Sequence, residues 1–232
     1  MEKKWILIII AYVMIACNTQ IKNNNVIPEK YDFEAVKNSK TNPYVTKKGD
    51  TIVLMYKMTE SGAYYIEYSD SVSFYHRVKY FYPNGIMESQ GTCVGNGYFV
   101  GIWWYYDKKG NLVREEDKNA GFGKIKTDDI LKFIEKEGWI NLKTGEGREH
   151  PILKEGMEYL GIKGCRFSIS FIDEQKKIDR IISIENKPPR LWIVNITTVK
   201  ESGYQYQFTT YYIDGDTGEV VEKDSSYSPV FY

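Results

Sequence analysis

Between Tyr80 and Asp117 an aromatic triplet runs into a glycine turn and a short polar strand, and the same pattern then returns. Tyr80-Phe81-Tyr82 reappears as Trp104-Tyr105-Tyr106, Asn84-Gly85 as Lys109-Gly110, and Met87 as Leu112. Aromatic and β-branched runs broken by turns that accept positive φ restrict a chain to antiparallel hairpins. A repeat unit cannot bury its own apolar face, so this stretch must close on neighbouring structure. The expected class is α+β, mostly antiparallel β.

Strand-length runs precede the repeat at Thr51 to Lys57, Ala63 to Tyr68 and Ser73 to Tyr82, separated by Glu60-Ser61-Gly62 and Ser69-Asp70-Ser71. After the linker Ala120–Gly123, Thr127 is placed to cap a helix. Asp128 and Asp129 fall in its first turn, where the helix dipole favours anions. Ile130, Phe133 and Ile134 form its apolar stripe, and Gly138 is placed to stop it. Pro151 to Leu160 admits a second short helix. Phe167 to Ile172, Ile178 to Ile184, Leu191 to Val199 and Tyr204 to Ile213 then read as an antiparallel meander. In it Trp192, Val194 and Ile196 share one face. Tyr204, Tyr206 and Phe208 face one way from their strand, and Gln205, Gln207 and Thr209 the other.

The first residues read as an address. Met1–Lys4 is basic, and Ile6 to Ile15 is an apolar run shorter than the ~20 residues that span a bilayer. This is the layout of a cleaved secretory signal over residues 1–16. Ala16-Cys17 resembles the lipobox of bacterial lipoproteins. That resemblance implies lipidation at Cys17 and a membrane partner reached through the lipid. Asn18, in place of the aspartate that retains such proteins in the inner membrane, implies the outer membrane. Asn18 to Asn42 is polar and poor in apolar residues, so residues 17–50 are expected to act as a tether.

Cleavage after residue 16 removes one acidic and two basic residues from totals of 31 and 31, leaving a net charge of −1. A chain without a basic field is not expected to bind nucleic acid. Beyond Cys17 the cysteines are Cys93 and Cys165. An oxidising compartment permits a disulfide between them, provided their Cα atoms lie within ~7 Å.

Two stretches resemble known modules. Tyr82-Pro83-Asn84-Gly85, Met87, Gly91, Gly101-Ile102-Trp103, Tyr105-Tyr106, Gly110 and Leu112 resemble the MORN-repeat variant of a family labelled as antitoxins. The resemblance implies a β-meander of hairpins over residues 51–123. Asp214, Thr217, Gly218, Glu219 and Val220 close a segment with a helix and a strand starting at Trp192. This resembles the PepSY-like module of extracytoplasmic proteins, some of them associated with protease inhibition. It implies an α+β module over residues 124–232.

No arrangement for chemistry is expected. The two histidines, His76 and His150, lack metal-ligand spacing, and there is no Cys-x-x-Cys. Gly95-Asn96-Gly97 leads into a strand, so it reads as a turn and not as a phosphate loop. Asp214-x-Asp216-x-Gly218 lacks the acidic twelfth position of a calcium loop and reads as a hairpin turn. Glu115 and Glu116 point to opposite faces of a strand. No catalytic, metal-binding or cofactor-binding residue is predicted, and the chain reads as non-enzymatic.

The aromatic content is the remaining signal, with 20 Tyr and 5 Trp. A solvated antiparallel sheet needs one apolar face, yet both faces of Trp103-Trp104-Tyr105-Tyr106 are aromatic. Either a second sheet or domain covers the other face, or a protein or glycan partner does. The candidate binding face is Tyr80, Tyr82, Trp103, Trp104 and Tyr106. The expected function is a protein-binding or structural envelope lipoprotein of the outer membrane. The alternatives are a glycan-binding lipoprotein and an inhibitor or immunity-type factor.

Overall fold

A computed structural model describes residues 28–69, 72–154, 158–164, 166–183, 187–199 and 205–229. The expected signal at 1–16, the lipidation site Cys17 and Cys165 lie outside the described residues. Among the described residues no helix is long and apolar enough to cross a membrane.

The chain is mostly antiparallel β with few helices. Seven strands form the first sheet in sequence order: β1 (Tyr44–Lys48), β2 (Thr51–Met55), β3 (Ala63–Ser69), β4 (Tyr75–Phe81), β5 (Met87–Val94), β6 (Tyr98–Tyr106) and β7 (Leu112–Asp117). Each neighbour pair is antiparallel. Short loops force this order, because a chain that turns in two to seven residues returns beside itself.

Regular structure is present inside the stretch expected to be a tether. Helix α1 (Phe33–Lys37) and strand β1 both fall within residues 17–50. Tyr31 and Val36 are buried in a core with Val53, Met55, Tyr65, Phe81 and Met87. The low apolar content of this segment hid two anchors spaced to reach one sheet face. The Tyr31 hydroxyl donates to the Tyr56 carbonyl at 3.0 Å, and the backbone N–H of Tyr31 donates to the Gly85 carbonyl at 2.8 Å.

The two units of the repeat fold alike. The Tyr82 N–H donates to the Ile86 carbonyl at 2.9 Å and the Gly85 N–H to the Tyr82 carbonyl at 2.8 Å. In the second unit Asp107 and Asn111, and Gly110 and Asp107, make the same two bonds, each at 2.9 Å. Both loops thus carry three residues and not two, with the last in the left-handed region: Gly85 at φ 78° and Gly110 at φ 89°. A type I turn closed by such a glycine is a standard three-residue hairpin connection. The register pairs Phe81 with Met87 and Tyr106 with Leu112. Phe81 therefore corresponds to Tyr106, which moves the alignment of the aromatic triplets by one residue. The turns also touch, with the Asn84 side-chain amide donating to the Lys108 carbonyl at 3.2 Å.

Helix α2 (Thr127–Lys136) follows. Its N-cap is Lys126 rather than Thr127, which is buried; the Lys126 N–H donates back to Asp129 Oδ2 at 3.1 Å. Gly138, at φ 80°, ends it. The described residues of the stretch that admits a second short helix, Pro151 to Leu160, are strand and not helix. They make a two-stranded sheet of β8 (His150–Lys154) and β9 (Glu158–Lys163). Pro151 is tolerated there because a two-stranded ribbon has an open side on each strand.

The last sheet runs β10 (Phe167–Ile172), β11 (Leu191–Val199), β12 (Gln205–Asp214) and β13 (Val220–Pro229). The expected strand at Ile178 to Ile184 is instead helix α3 (Gln175–Ile181). Ile178 and Ile182, four residues apart, are both buried against Leu191, so the apolar period is helical. Trp192, Val194 and Ile196 share the opposite, buried face, joined from β12 by Thr209, Tyr211 and Ile213. The Asp214 turn is closed by its own carboxylate, which accepts from the N–H groups of Asp216 and Thr217 at 2.7 and 3.1 Å.

One core links the two main sheets. Phe74, Val94 and Val100 from the first sheet and its loop pack with Ile130 and Ile134 of α2 and with Trp192 and Val194 of β11. At Gly95 an added Cβ would lie 2.7 Å from the Phe167 ring, so this turn is pressed against the second sheet. The seven-stranded sheet is thus covered on one face at both ends, by α1 at the hairpin-turn end and by the C-terminal elements at the other.

Candidate functional site: an aromatic row on the first sheet

Residues opposite one another across a ladder share a face. On the face that carries α1, Met55, Tyr65, Lys79, Gln90, Trp104 and Glu115 align from β2 to β7. On the other face Tyr64, Tyr80, Ser89, Tyr105 and Arg114 align from β3 to β7. Tyr56 extends this second row by stacking on Tyr64 at 4.2 Å between ring centres.

The five aromatic residues expected to form a binding face are therefore divided. Tyr80 lies in the row, and Trp103 lies beneath it. Trp104 and Tyr106 belong to the opposite face, packed with Tyr65, Phe81 and Met87. Tyr82 stands at the turn, where its hydroxyl donates to the Tyr106 carbonyl at 2.9 Å. Strand alternation separates Trp103 from Trp104, as the sequence requires.

Trp103 is the floor of the row and only 1% exposed. Its indole lies flat over Gly91, where an added Cβ would meet the ring at 2.2 Å. Only a glycine in β5 leaves that space. Phe99 packs on it at 4.0 Å between ring centres, and Tyr80 at 6.4 Å. Its Nε1–H donates to the Thr92 carbonyl at 3.3 Å.

Above this floor the row is open to solvent. Tyr64 is 37% exposed and Phe99 36%; Tyr56, Tyr80 and Tyr105 are half-buried. At the β7 end, the Arg114 guanidinium lies 3.8 Å from the centre of the Tyr105 ring and is paired with Glu116 at 2.8 Å. Lys118 also meets Glu116, at 2.5 Å. These three charges hold one another and fix Arg114 beside Tyr105. At the other end Tyr64 and Tyr80 line a cavity of about 210 Å³ with Lys57, Thr59, Ser61 and Glu88.

Farther along the same face, residues 149–153 cover the sheet. Leu153 packs against Val45, Ile52, Leu54 and Tyr68. The Tyr68 hydroxyl donates to the Glu149 carboxylate, and the Tyr68 ring stacks on His76 at 5.2 Å. His76 and Cys93 face each other across β4 and β5. A cysteine beside a histidine is the pairing a thiol nucleophile needs, so its electrostatics matter. Burial pushes His76 down to about 4. Burial, with the Glu149 charge nearby, pushes Cys93 up to about 12. Both groups are neutral at pH 7, whereas a reactive thiol needs a depressed value. Cys93 is a free, buried thiol. Alkylation at pH 8, followed by mapping of the Cys93 peptide, should run on the order of a hundredfold or more slower in the native protein than in urea. Equal rates would show a thiol activated or exposed in the fold.

Tyr56, Tyr64, Phe99, Tyr105 and Arg114 escaped the sequence reading. Tyr105 shares strand parity with Trp103, which is a usable signal. Tyr64 joins the row only through the β3–β4 register that sets it opposite Tyr80, and Arg114 through the irregularity between Tyr105 and Tyr106. Compared with protein-family models, curated proteins and solved structures, the chain matches none.

Proposed function

We propose that this chain is a non-catalytic outer-envelope lipoprotein, anchored through Cys17, that binds an extracytoplasmic ligand through the aromatic row. The observation that carries the reading is the alignment of Tyr64, Tyr80 and Tyr105 on a part of a sheet face that no other described element covers. Half-exposed tyrosines supply rigid contact area with a polar tip and little entropy to lose. Their backbones belong to a seven-stranded ladder, so the row is preorganised. The two like-folded hairpin units support reading residues 51–123 as MORN-variant hairpins. The Trp192 strand and the Asp214 turn support a PepSY-like end. In this reading both modules act as scaffold, and the buried, neutral His76 and Cys93 carry no chemistry.

The test uses the Cys17→Ser chain, which has no lipid to hold it, added to isolated envelopes. It should sediment with them, and Tyr64→Ala with Tyr105→Ala in that background should abolish sedimentation while leaving the melting temperature within a few degrees. Undiminished sedimentation of the folded double variant would overturn the reading.

A further inference from the structure

A separate cavity lies on the face that carries α1. It holds about 270 Å³ and is lined by Tyr31, Phe33, Val36, Lys37, Lys57 and Met58. Helical spacing makes one wall: Phe33, Val36 and Lys37 stand at i, i+3 and i+4 of α1, which turns Glu34 away. The β2–β3 connection supplies the other wall with Lys57 and Met58. Tyr31 and Val36 are buried, but Phe33 is 44% exposed, although its ring packs on Tyr31 at 4.8 Å and over Gly85. An apolar ring thus reaches the surface while lining the cavity.

The charges of this lining are of one sign. Lys37 and Lys57 are exposed, and among the described residues neither ammonium has an ion-pair or hydrogen-bond partner. No described carboxylate lines the cavity. Asp32 turns its carboxylate to the Ala35 N–H at the start of α1, at 2.9 Å, and Glu60 of the β2–β3 connection lies outside the lining. The cavity is smaller than the ~300–1,000 Å³ that encloses a whole small molecule. It fits one end of a ligand, and that ligand carries an apolar part beside an anionic one.

The path of the chain says where such a ligand is met. Tyr31 is fourteen residues after Cys17, a covalent reach of at most ~50 Å. Resting on the anchor at Cys17 proposed above, we infer that this cavity docks on the anchoring membrane. The headgroup phosphate of an anionic phospholipid sits between Lys37 and Lys57, and one end of its acyl chain lies against Phe33, Val36 and Met58. Lysine stems lie along apolar surface and keep their ammoniums at headgroup level. Each lysine near an anionic leaflet adds an attraction that salt screens. A neutral bilayer meets the apolar part alone, and one half-exposed ring is too little area to hold the fold down. Docking through the α1 face gives the tethered fold one orientation. The aromatic row, on the opposite face of the sheet, is then left clear of the bilayer.

The full chain as a bacterium processes it, carrying Phe33→Trp, tests this in vesicles with brominated acyl chains. Emission of the added tryptophan, taken as the difference from the parent, should be quenched in phosphatidylcholine vesicles that contain phosphatidylglycerol and much less in phosphatidylcholine alone. Lys37→Glu with Lys57→Glu should lower the docked-to-undocked ratio on the order of tenfold or more, and molar salt should do the same. Met58→Trp gives the same readout from the other wall if Phe33→Trp folds poorly. Equal quenching in both vesicles, or quenching that survives the charge reversal in folded protein, would overturn the inference. Absence of quenching in either, in protein that floats with the vesicles, would leave the cavity to a second copy or another protein and overturn it too. Protein that does not float with phosphatidylcholine vesicles has no anchor, which fails the lipoprotein reading; quenching in the phosphatidylglycerol vesicles then still decides the dock.

Discussion

Trp103→Ala should lower the unfolding free energy by about 3–5 kcal/mol, the range for deleting a fully buried large aromatic side chain. The expectation follows from its position. The indole fills the space above Gly91, touches Phe99 and Tyr80, and closes a cluster with Val78 and Cys93. Nothing else in β5 can fill the gap, because its residues on that face are Ser89, Gly91 and Cys93. Gly91→Ala should also destabilise, by about 1–3 kcal/mol, since its Cβ would overlap the indole. The two sites share one volume, so their effects should not add. In Gly91→Ala/Trp103→Ala the new methyl enters space the indole has left. Urea unfolding of the four proteins should give a double variant more stable than the sum of the singles predicts, by about 1–3 kcal/mol. Simple additivity would mean that Trp103 does not rest on Gly91. The row should be lost as well, because Tyr80 and Phe99 lean on the indole. In Trp103→Ala, ligand binding should fall along with stability, whereas Tyr64→Ala should affect binding alone.

That division between floor and surface is where the sequence was legible and where it stopped. Strand alternation alone separates Trp103 from Trp104, and composition alone indicates an aromatic sheet. The hairpin turns at Gly85 and Gly110 were readable because positive φ is a local demand. Burial is not local. Trp103 is covered by a ring four residues earlier on its own strand and accommodated by a glycine on the next, and neither relation shows in a window of sequence. Tyr64 enters the row through the register of a different hairpin. The failures elsewhere have the same origin. Ile178 and Ile182 fit a strand or a helix until Leu191 shows which side must be buried. Tyr31 and Val36 looked isolated in a polar segment because their partners, Tyr65 and Phe81, lie far along the chain. The repeat was found by residue type, and its true offset came from ladder pairing, which fixes Phe81 against Met87 and Tyr106 against Leu112.

Lys79→Met should cost about 3–5 kcal/mol, for a reason unlike that at Trp103. Lys79 is buried on the α1 face, with its ammonium 2.5 Å from Glu67 and 2.5 Å from Glu29. Lys48 meets Glu29 as well, at 3.1 Å. Burial pushes Lys79 down, but its hydrogen bonds and charge pairing with Glu29 and Glu67 outweigh this and hold it above the ordinary lysine value. Burial pushes Glu29 up, but Lys79 and Lys48 outweigh it and hold the carboxyl below the usual range. A depressed carboxyl stabilises above its unfolded value and loses that contribution as pH falls through the folded one. A raised ammonium stabilises below its unfolded value and loses that contribution as pH rises through the folded one. The network therefore contributes fully between about pH 5 and 10. Removing the ammonium leaves Glu67 buried opposite no cation, which costs more than the pair itself contributes. The pH dependence should then change sign: between pH 7 and 5 the Lys79→Met protein should gain stability as protonation relieves the uncompensated charge, while the parent stays level. Glu29 also ties down the first described residues, beside the Lys30–Ile86 bridge. The same substitution should therefore expose the segment around Glu29 to limited proteolysis before the sheet unfolds. A Lys79→Met protein with parental stability, or with an unchanged pH profile, would show that this face is held by its aromatic core and not by the ion network.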